Sequence, residues 1–154
     1  MATFEQLIPV GKKFISPGRT IGEGDFTLLV NLTWSTGSIH VNREYMKGTQ
    51  FGERILPGPC VLACMVGLAG AGGLRQATDH EGVRTVALLG FDGVRFTAPV
   101  KPGDTLTVHS EITAVRPTSK DPRRAVVLVR DVTLNQHGQE VMSATRSQMV
   151  EMTG

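Results

Sequence analysis

Residues 35–40 read SerThrGlySerIleHis, and residues 41–59 continue as ValAsnArgGluTyrMetLysGlyThrGlnPheGlyGluArgIleLeuProGlyPro. This stretch places one histidine, His40, 18 residues before a glycine, Gly58. Histidine is the side chain whose ordinary pKa allows proton exchange near neutral pH. Glycine at the start of a helix allows a ligand to approach the backbone closely. The stretch therefore joins a candidate proton-transfer group to the start of the element that we predict to organise the fold.

The run of residues 55–74 lies between two arginines and carries no charged side chain. A helix that is apolar on every side either is buried in a protein core or crosses a membrane. Five glycines and two prolines within the run favour the first interpretation. We therefore predict a buried central helix over about 58–76, starting at Pro57 or Pro59.

Two shorter helices are predicted before the central one. Asp25 is a favourable N-cap residue, and apolar residues at helical spacing follow it, which predicts a helix near 25–34. Asn42 is placed to cap a second, short helix that ends at Gly48. Prolines and glycines interrupt residues 1–20, so this segment is predicted to be an irregular arm or a short first strand.

The second half of the chain is rich in predicted strands. Residues 105–115 alternate apolar and polar side chains, as expected for a strand that is buried on one face. Three further strands are predicted at 85–94, 125–134 and 141–150, with an exposed loop at 117–124 and a turn at 135–139. Early helices followed by antiparallel strands are typical of an α+β fold. We predict one domain over residues 1–154, in which a curved antiparallel sheet wraps around the central helix.

Composition and charge argue against several other classes of protein. The formal net charge is +2 and no run of Lys or Arg is longer than two, so a nucleic-acid partner is not expected. Cys60 and Cys64 are four residues apart on the predicted helix, a spacing that does not favour disulfide geometry, and no other metal ligand is near them in sequence. We expect two free cysteines in the core and no metal. The N-terminus lacks the pattern of a signal peptide, which together with free cysteines predicts a cytoplasmic protein that is not bound to a membrane.

Two segments of the chain resemble the MaoC-like hydratases, hot-dog-fold enzymes that add water to enoyl thioesters. The family's Asp-x-Asn-Pro-(Ile/Leu)-His motif is matched in part by residues 35–40, and its Phe-Gly-x-x-Ile-x-x-Gly run by residues 51–58. Residues 94–106, ValArgPheThrAlaProValLysProGlyAspThrLeu, are similar to the family's Arg-Phe-x-x-Pro-Val-x-x-Gly-Asp-Thr-Leu segment. Weaker likenesses extend from residues 4–14 to the turn at 135–138. The resemblance thus covers nearly the whole chain and implies a single hot-dog domain.

The resemblance also implies a catalytic arrangement that needs no cofactor. In the family an Asp and a His hold the reacting water, and a backbone N–H at the start of the central helix holds the thioester carbonyl. His40 matches the family's histidine and Gly58 its helix-start glycine, whereas Ser35 stands where the family has the Asp. Substrate binding is assigned in addition to three neighbouring side chains, Trp34, Ile39 and Phe51.

The exchange of Asp for Ser35 leaves three alternatives open. Serine can hydrogen-bond a water or a substrate oxygen, but it is not a base at neutral pH. His40 could shuttle the proton alone, a carboxylate from elsewhere could replace the Asp, or the site could bind acyl thioesters without turning them over. The candidate carboxylates are Glu23, Asp25 and Glu44.

The predicted function is hydration of enoyl thioesters, or dehydration of 3-hydroxyacyl thioesters, with acyl-CoA or an acyl-carrier thioester as substrate. One alternative is a non-catalytic subunit paired with an active homologue. A hot-dog thioesterase is disfavoured, because its central helix would commonly carry an acidic residue and residues 55–74 contain none. The candidate contacts for coenzyme A phosphates are Arg95, Lys101 and the loop at 120–124. The family resemblance implies a homodimer or larger homo-oligomer, with a heterodimer as the alternative.

Overall fold

The computed structural model describes residues 3–153. Residues 1–2 of the predicted arm and residue 154 of the predicted domain lie outside the described residues. The helices are α1 (Phe4–Leu7), α2 (Glu23–Leu32), α3 (Ser38–Val41), α4 (Arg43–Lys47), α5 (Gly58–Ala69) and α6 (Arg75–Thr78), with a π-helical turn at Gly70–Leu74. The strands are β1 (Lys13–Ile15), β2 (Arg19–Thr20), β3 (Val83–Phe96), β4 (Thr105–Pro117), β5 (Arg124–Leu134) and β6 (Glu140–Met152).

All six strands belong to one antiparallel sheet. Its order is β1-β4-β5-β6-β3, and β2 also pairs with β4. The four long strands confirm the strand predictions, although each extends beyond its predicted bounds. The predicted loop is confirmed, because β4 ends at Pro117 and β5 begins only at Arg124. The predicted turn is also confirmed, because the backbone reverses between Asn135 and Gln139. The short strands β1 and β2 confirm the predicted first strand.

The core lies between the sheet and the central helix. Alternate residues of β5, such as Val127 and Val129, point inwards and are buried. From α5 the side chains of Val61, Met65 and Leu68 join the same buried cluster. Fully burying one such side chain contributes about 1.5–3 kcal/mol. The predicted α+β architecture, a sheet on one central helix, is therefore confirmed.

The central helix is less regular than its sequence suggests. It continues through the π-helical turn to Thr78, and Gly73 within that turn has a φ of 103°. At Gly72 a Cβ atom would lie 2.8 Å from the Cα of Ser16, so glycine is required where the helix meets the segment after β1. The span from Gly58 to Thr78 is long and apolar enough to cross a membrane by length and composition, but its buried face is part of the core described above.

The N-cap predicted for α2 is wrong. The helix begins at Glu23 with Gly22 as its N-cap, and Asp25 occupies the third helical position. From there Asp25 Oδ2 accepts a hydrogen bond from the Gly22 N–H at 3.1 Å. An acidic side chain at this position can satisfy the backbone N–H of the N-cap residue, and the N-cap lies three residues before its predicted position. Trp34, expected inside the helix, lies beyond its end with a φ of 55°.

The prediction for α4 is confirmed. Asn42 Oδ1 accepts from the Tyr45 N–H at 2.9 Å, and Gly48 follows the last helical residue. The two cysteines are free, as predicted. Cys60 is buried, and burial raises the pKa of the Cys64 thiol, so both fit the role of small core residues.

Candidate active site

His40 is held in place by the short helix α3, which the sequence analysis did not predict. Gly37 precedes the helix, and its carbonyl accepts the His40 N–H at 2.8 Å. The imidazole is half-buried, and its Nδ1 lies 2.7 Å from the carbonyl oxygen of Ile55. Because a carbonyl oxygen only accepts hydrogen bonds, Nδ1 carries the proton in this contact. In the neutral ring the Nε2 lone pair is then available as a base.

A second hydrogen bond fixes the segment that holds this imidazole. The Ile55 N–H donates to the Ile39 carbonyl at 3.1 Å, so α3 and the approach to the central helix are joined in both directions. The next residue, Leu56, donates to Val100 O at 2.7 Å and ties the same segment to the stretch after β3. Backbone contacts of the described residues therefore help to orient His40.

The start of α5 presents a backbone N–H, that of Gly58, for which residues 3–153 provide no hydrogen-bond acceptor. Pro57 is the N-cap, and its carbonyl accepts the first intrahelical bonds, from Cys60 at 2.9 Å and Val61 at 3.1 Å. The N–H of Gly58 precedes those bonds, and Pro59 has no N–H. The positive end of the helix dipole adds to the attraction for a developing negative charge at this point.

Phe96, at the end of β3, covers this helix start. A Cβ built on Gly58 would lie 2.8 Å from both Cε2 and Cζ of the Phe96 ring, so the ring rests directly against the glycine. The ring is half-exposed and lies at the sheet edge. Phe96 is not among the site residues predicted from the sequence. The available signal was its place in the segment of residues 94–106 that resembles the family.

These groups line one cleft of about 410 Å³. Of the six residues predicted for the site, four line it: Ile39, His40, Phe51 and Gly58. The other lining residues are Ile55, Leu56, Val61, Phe96, Thr97, Ala98, Pro99 and Val100. Within the described part of the chain this lining contains no carboxylate, and its only ionisable side chain is the imidazole.

Ser35 and Trp34 lie outside the lining of this cleft. The Ser35 hydroxyl is 3.0 Å from Thr33 Oγ1, which in turn is 3.5 Å from Cys60 Sγ in the first turn of α5. Ser35 thus contacts the central helix through Thr33. Trp34 has 87% of its surface exposed, and its left-handed backbone turns the chain between α2 and α3.

The three carboxylates considered as replacements for the Asp have other partners. Glu23 accepts two hydrogen bonds from Arg54, at 2.8 and 2.9 Å, and these hold its pKa below the ordinary value. Asp25 pairs with an arginine of β2 and Glu44 with a lysine of α4. None of the three lines the cleft within residues 3–153.

The basic candidates for phosphate binding also have protein contacts. Lys101 Nζ donates to the Phe51 carbonyl at 2.5 Å and so supports a wall of the cleft. Arg95 is directed at the Val94 carbonyl, 2.9 Å away. In the 120–124 loop, Arg123 donates to Met152 O and Arg124 pairs with Glu151. All of them remain predictions as ligands for phosphate.

Comparison with known proteins decides the family. The model of the MaoC like domain matches residues 7–135, which is most of the chain. The chain belongs to the MaoC-like family. It is 31% identical over 122 residues to protein MaoC of Klebsiella aerogenes, covering 79% of this chain and 33% of that protein. It is also 30% identical over 105 residues to the (R)-specific enoyl-CoA hydratase of Rhodospirillum rubrum, covering 68% of this chain and 67% of that enzyme.

Solved structures of MaoC-like proteins share the fold. The monoamine oxidase regulatory protein of Archaeoglobus fulgidus superposes with a TM-score of 0.84 at 28% identity, covering 99% of this chain and 96% of that one. The hot-dog fold predicted from the sequence is therefore confirmed. Relatives of this MaoC-like chain include hydratases and dehydratases, which supports a lyase-type family. The chain spans only about a third of the length of protein MaoC.

Proposed function

We propose that this MaoC-like protein hydrates enoyl thioesters, or dehydrates 3-hydroxyacyl thioesters, in the cleft between His40 and Gly58. The observation that carries the proposal is the joint placement of a half-buried imidazole, with Nε2 free, and the first N–H of the central helix in one lining. Hydration of an enoyl thioester requires a base for water and a donor for the developing enolate oxygen. This pair of groups supplies both.

The reaction can proceed with His40 as its single proton shuttle. Nε2 takes a proton from water as the water oxygen bonds to Cβ, and the thioester oxygen, now an enolate, accepts from the Gly58 N–H. The imidazolium then returns the proton to Cα, which completes the addition of water. Since the Ile55 carbonyl accepts a hydrogen bond from Nδ1–H throughout, it also stabilises the charged ring.

Other residues have supporting roles in this proposal. Ile39 and Phe51 form apolar walls for the acyl group. Ser35 is a hydrogen-bonding group behind the site rather than a base, and Trp34 contributes to the outer part of the binding surface. The Phe96 ring packs against Gly58 and forms a further apolar wall near this N–H. Coenzyme A is the proposed carrier, and the cytoplasm is the proposed location.

A second candidate is a non-catalytic acyl-thioester-binding subunit. The observation that favours it is the absence of a carboxylate from the lining of the His40 cleft, within the residues that the structure describes. We propose pairing through the edge strand β3, which exposes Val86 and Leu89. A homodimer follows from the first proposal, and a heterodimer with an active homologue from the second.

The test measures turnover of a panel of enoyl-CoA thioesters, including crotonyl-CoA and mesaconyl-CoA, by the loss of conjugated-thioester absorbance. We expect His40→Ala to lower the rate by about 10²–10⁴-fold, while His137→Ala, in an exposed turn, leaves it unchanged. Absence of wild-type turnover together with activity in Ser35→Asp would favour the binding subunit. Equal rates in wild type and His40→Ala would refute the proposed role of the imidazole.

A further inference from the structure

A second cleft lies at the other end of the central helix. It has a volume of about 330 Å³ and is bounded by α5, the π-helical turn, α6, β3 and β6. Clefts of this size are within the range that holds small molecules. Its walls include the apolar side chains Val66, Leu74 and Leu88, and its polar groups include Arg146 and Gln148. It shares no lining residue with the cleft around His40.

Arg146 brings a buried guanidinium to this cleft. Only 5% of the residue is exposed, and its Nε and Nη2 donate to the two carboxylate oxygens of Asp131, each at 3.0 Å. Asp131 also accepts from the Ser110 hydroxyl at 2.5 Å, and burial raises its pKa against the effect of both partners. Both contacts with Asp131 use Nε and Nη2, so Nη1 of the guanidinium does not take part in the ion pair.

Gln148 brings an amide donor that lacks an acceptor. The residue is 6% exposed, and its Nε2 has no hydrogen-bond partner within residues 3–153. A buried polar group without a partner costs about 1–3 kcal/mol, and buried polar groups in native proteins are nearly always paired. Gln148 lies two residues from Arg146 on β6, so both side chains project from the same face of the strand.

We propose that this second cleft binds a small amphipathic carboxylate. Besides Arg75, Thr78, Asp79 and Thr85, the lining holds two buried polar side chains, Arg146 and Gln148. Both offer N–H donors, and a carboxylate is an acceptor with two oxygens that match such a pair. The alkyl part of the molecule lies against Val66, Leu74 and Leu88. Because Asp131 already compensates the charge of Arg146, hydrogen bonding and apolar contact carry most of the affinity. The site is independent of thioester chemistry.

The experiment uses octanoate as the probe and octylammonium as its donor-only counterpart. Amide chemical shifts of the whole chain are followed by NMR during each titration. Octanoate is expected to shift Gly70, Thr78 and Thr85, which line the second cleft. Octylammonium is expected to leave Gly70 and Thr85 in place, because it offers no acceptor to the amide or the guanidinium. Its ionic partner in the lining would be Asp79, next to Thr78, which already pairs with Arg75.

Two matched variants separate binding from stability. Gln148→Leu keeps the side-chain size but removes the unpartnered amide, and should weaken octanoate binding by about 10-fold, the equivalent of one lost hydrogen bond. Thr133→Val removes a hydroxyl, the other buried polar side-chain group that has no partner in the described part of the chain. Thr133 lies outside this cleft, so binding should be unchanged. Both variants should be at least as stable as wild type.

Three results would overturn the proposal: no shifts up to millimolar octanoate, shifts confined to the His40 cleft, or equal octanoate affinity in wild type and Gln148→Leu. A loss of binding in Thr133→Val equal to that in Gln148→Leu would also contradict it, since the effect would then be a general response of the sheet. Enzymatic activity is not part of the measurement, so the outcome is separate from that of the proposed hydratase.

Discussion

Adding a methyl group at Gly58 should abolish most of the proposed activity without unfolding the protein. In Gly58→Ala the new Cβ would lie 2.8 Å from two atoms of the Phe96 ring. These atoms are the far end of a half-exposed side chain, so the ring can move aside. A displaced rotamer costs about 0.5–1.5 kcal/mol, and alanine in place of glycine within a helix returns about 0.5–1 kcal/mol. The expected change in the free energy of unfolding is therefore close to zero.

The effect on turnover should be much larger. The methyl group occupies the surface through which a thioester oxygen would approach the Gly58 N–H, and loss of one oxyanion donor costs about 10²–10³-fold in rate. Turnover of an enoyl-CoA is measured beside urea unfolding for the same preparations. In the double variant that also carries Phe96→Ala, the clash is gone but the N–H stays covered, so stability changes further while the low rate remains.

Gly67→Ala is the matched control, because a Cβ there meets nothing within 4 Å and the position does not line the His40 cleft. We expect this control to raise stability by about 0.5–1 kcal/mol with an unchanged rate. A Gly58→Ala protein with a rate within threefold of wild type would refute the assignment of this N–H as oxyanion donor. A loss of stability in Gly58→Ala above about 3 kcal/mol would refute the estimate of the packing.

Three further changes test the charges and the backbone. The Arg54 hydrogen bonds lower the pKa of Glu23. Their stabilisation of the folded state is present above the unfolded pKa of about 4.3 and is lost as the pH falls through the lower folded value. Glu23→Gln should remove this part of the acid sensitivity, at most about 1 kcal/mol for a half-exposed carboxylate, measured by urea unfolding as a function of pH. Asp131→Asn leaves Arg146 buried without its counter-charge and should destabilise by about 3–5 kcal/mol in the same assay, and a change below about 1 kcal/mol would contradict the buried pair. Trp34→Gly relieves a left-handed backbone that costs about 1–2 kcal/mol, offset by about 0.5–1 kcal/mol of glycine entropy, so thermal unfolding should show a stability equal to or slightly above wild type.

Several features of this protein follow from local sequence alone. The uncharged run predicted the central helix, and the alternation of residues 105–115 predicted a one-sided strand. The resemblance of residues 35–58 to the family's motifs predicted His40 and Gly58 as site residues. Such patterns are visible because helix and strand repeats involve neighbours along the chain, and the family motifs consist of short contiguous segments.

Other features depended on which distant segments meet. The N-cap of α2 is Gly22 rather than Asp25, because the Asp25 carboxylate lies at the third helical position and accepts a hydrogen bond from the Gly22 N–H. The free Nε2 of His40 depends on the carbonyl of Ile55, and the cover over Gly58 depends on Phe96. No periodicity along the chain predicts these contacts.

The Asp131–Arg146 pair beside the second cleft illustrates the difference between what local sequence predicts and what tertiary contacts decide. The alternation of side chains on β5 and β6 predicts that Asp131 and Arg146 both face inwards. It does not predict that the two side chains form an ion pair. Antiparallel register brings the two strands side by side, and burial then makes an ion pair the only tolerable arrangement for both charges. The sequence by itself determined the helix, the strands and the candidate chemistry. Only the packing of sheet against helix decided which polar groups are paired and which donor, Gln148, has no partner within the described residues.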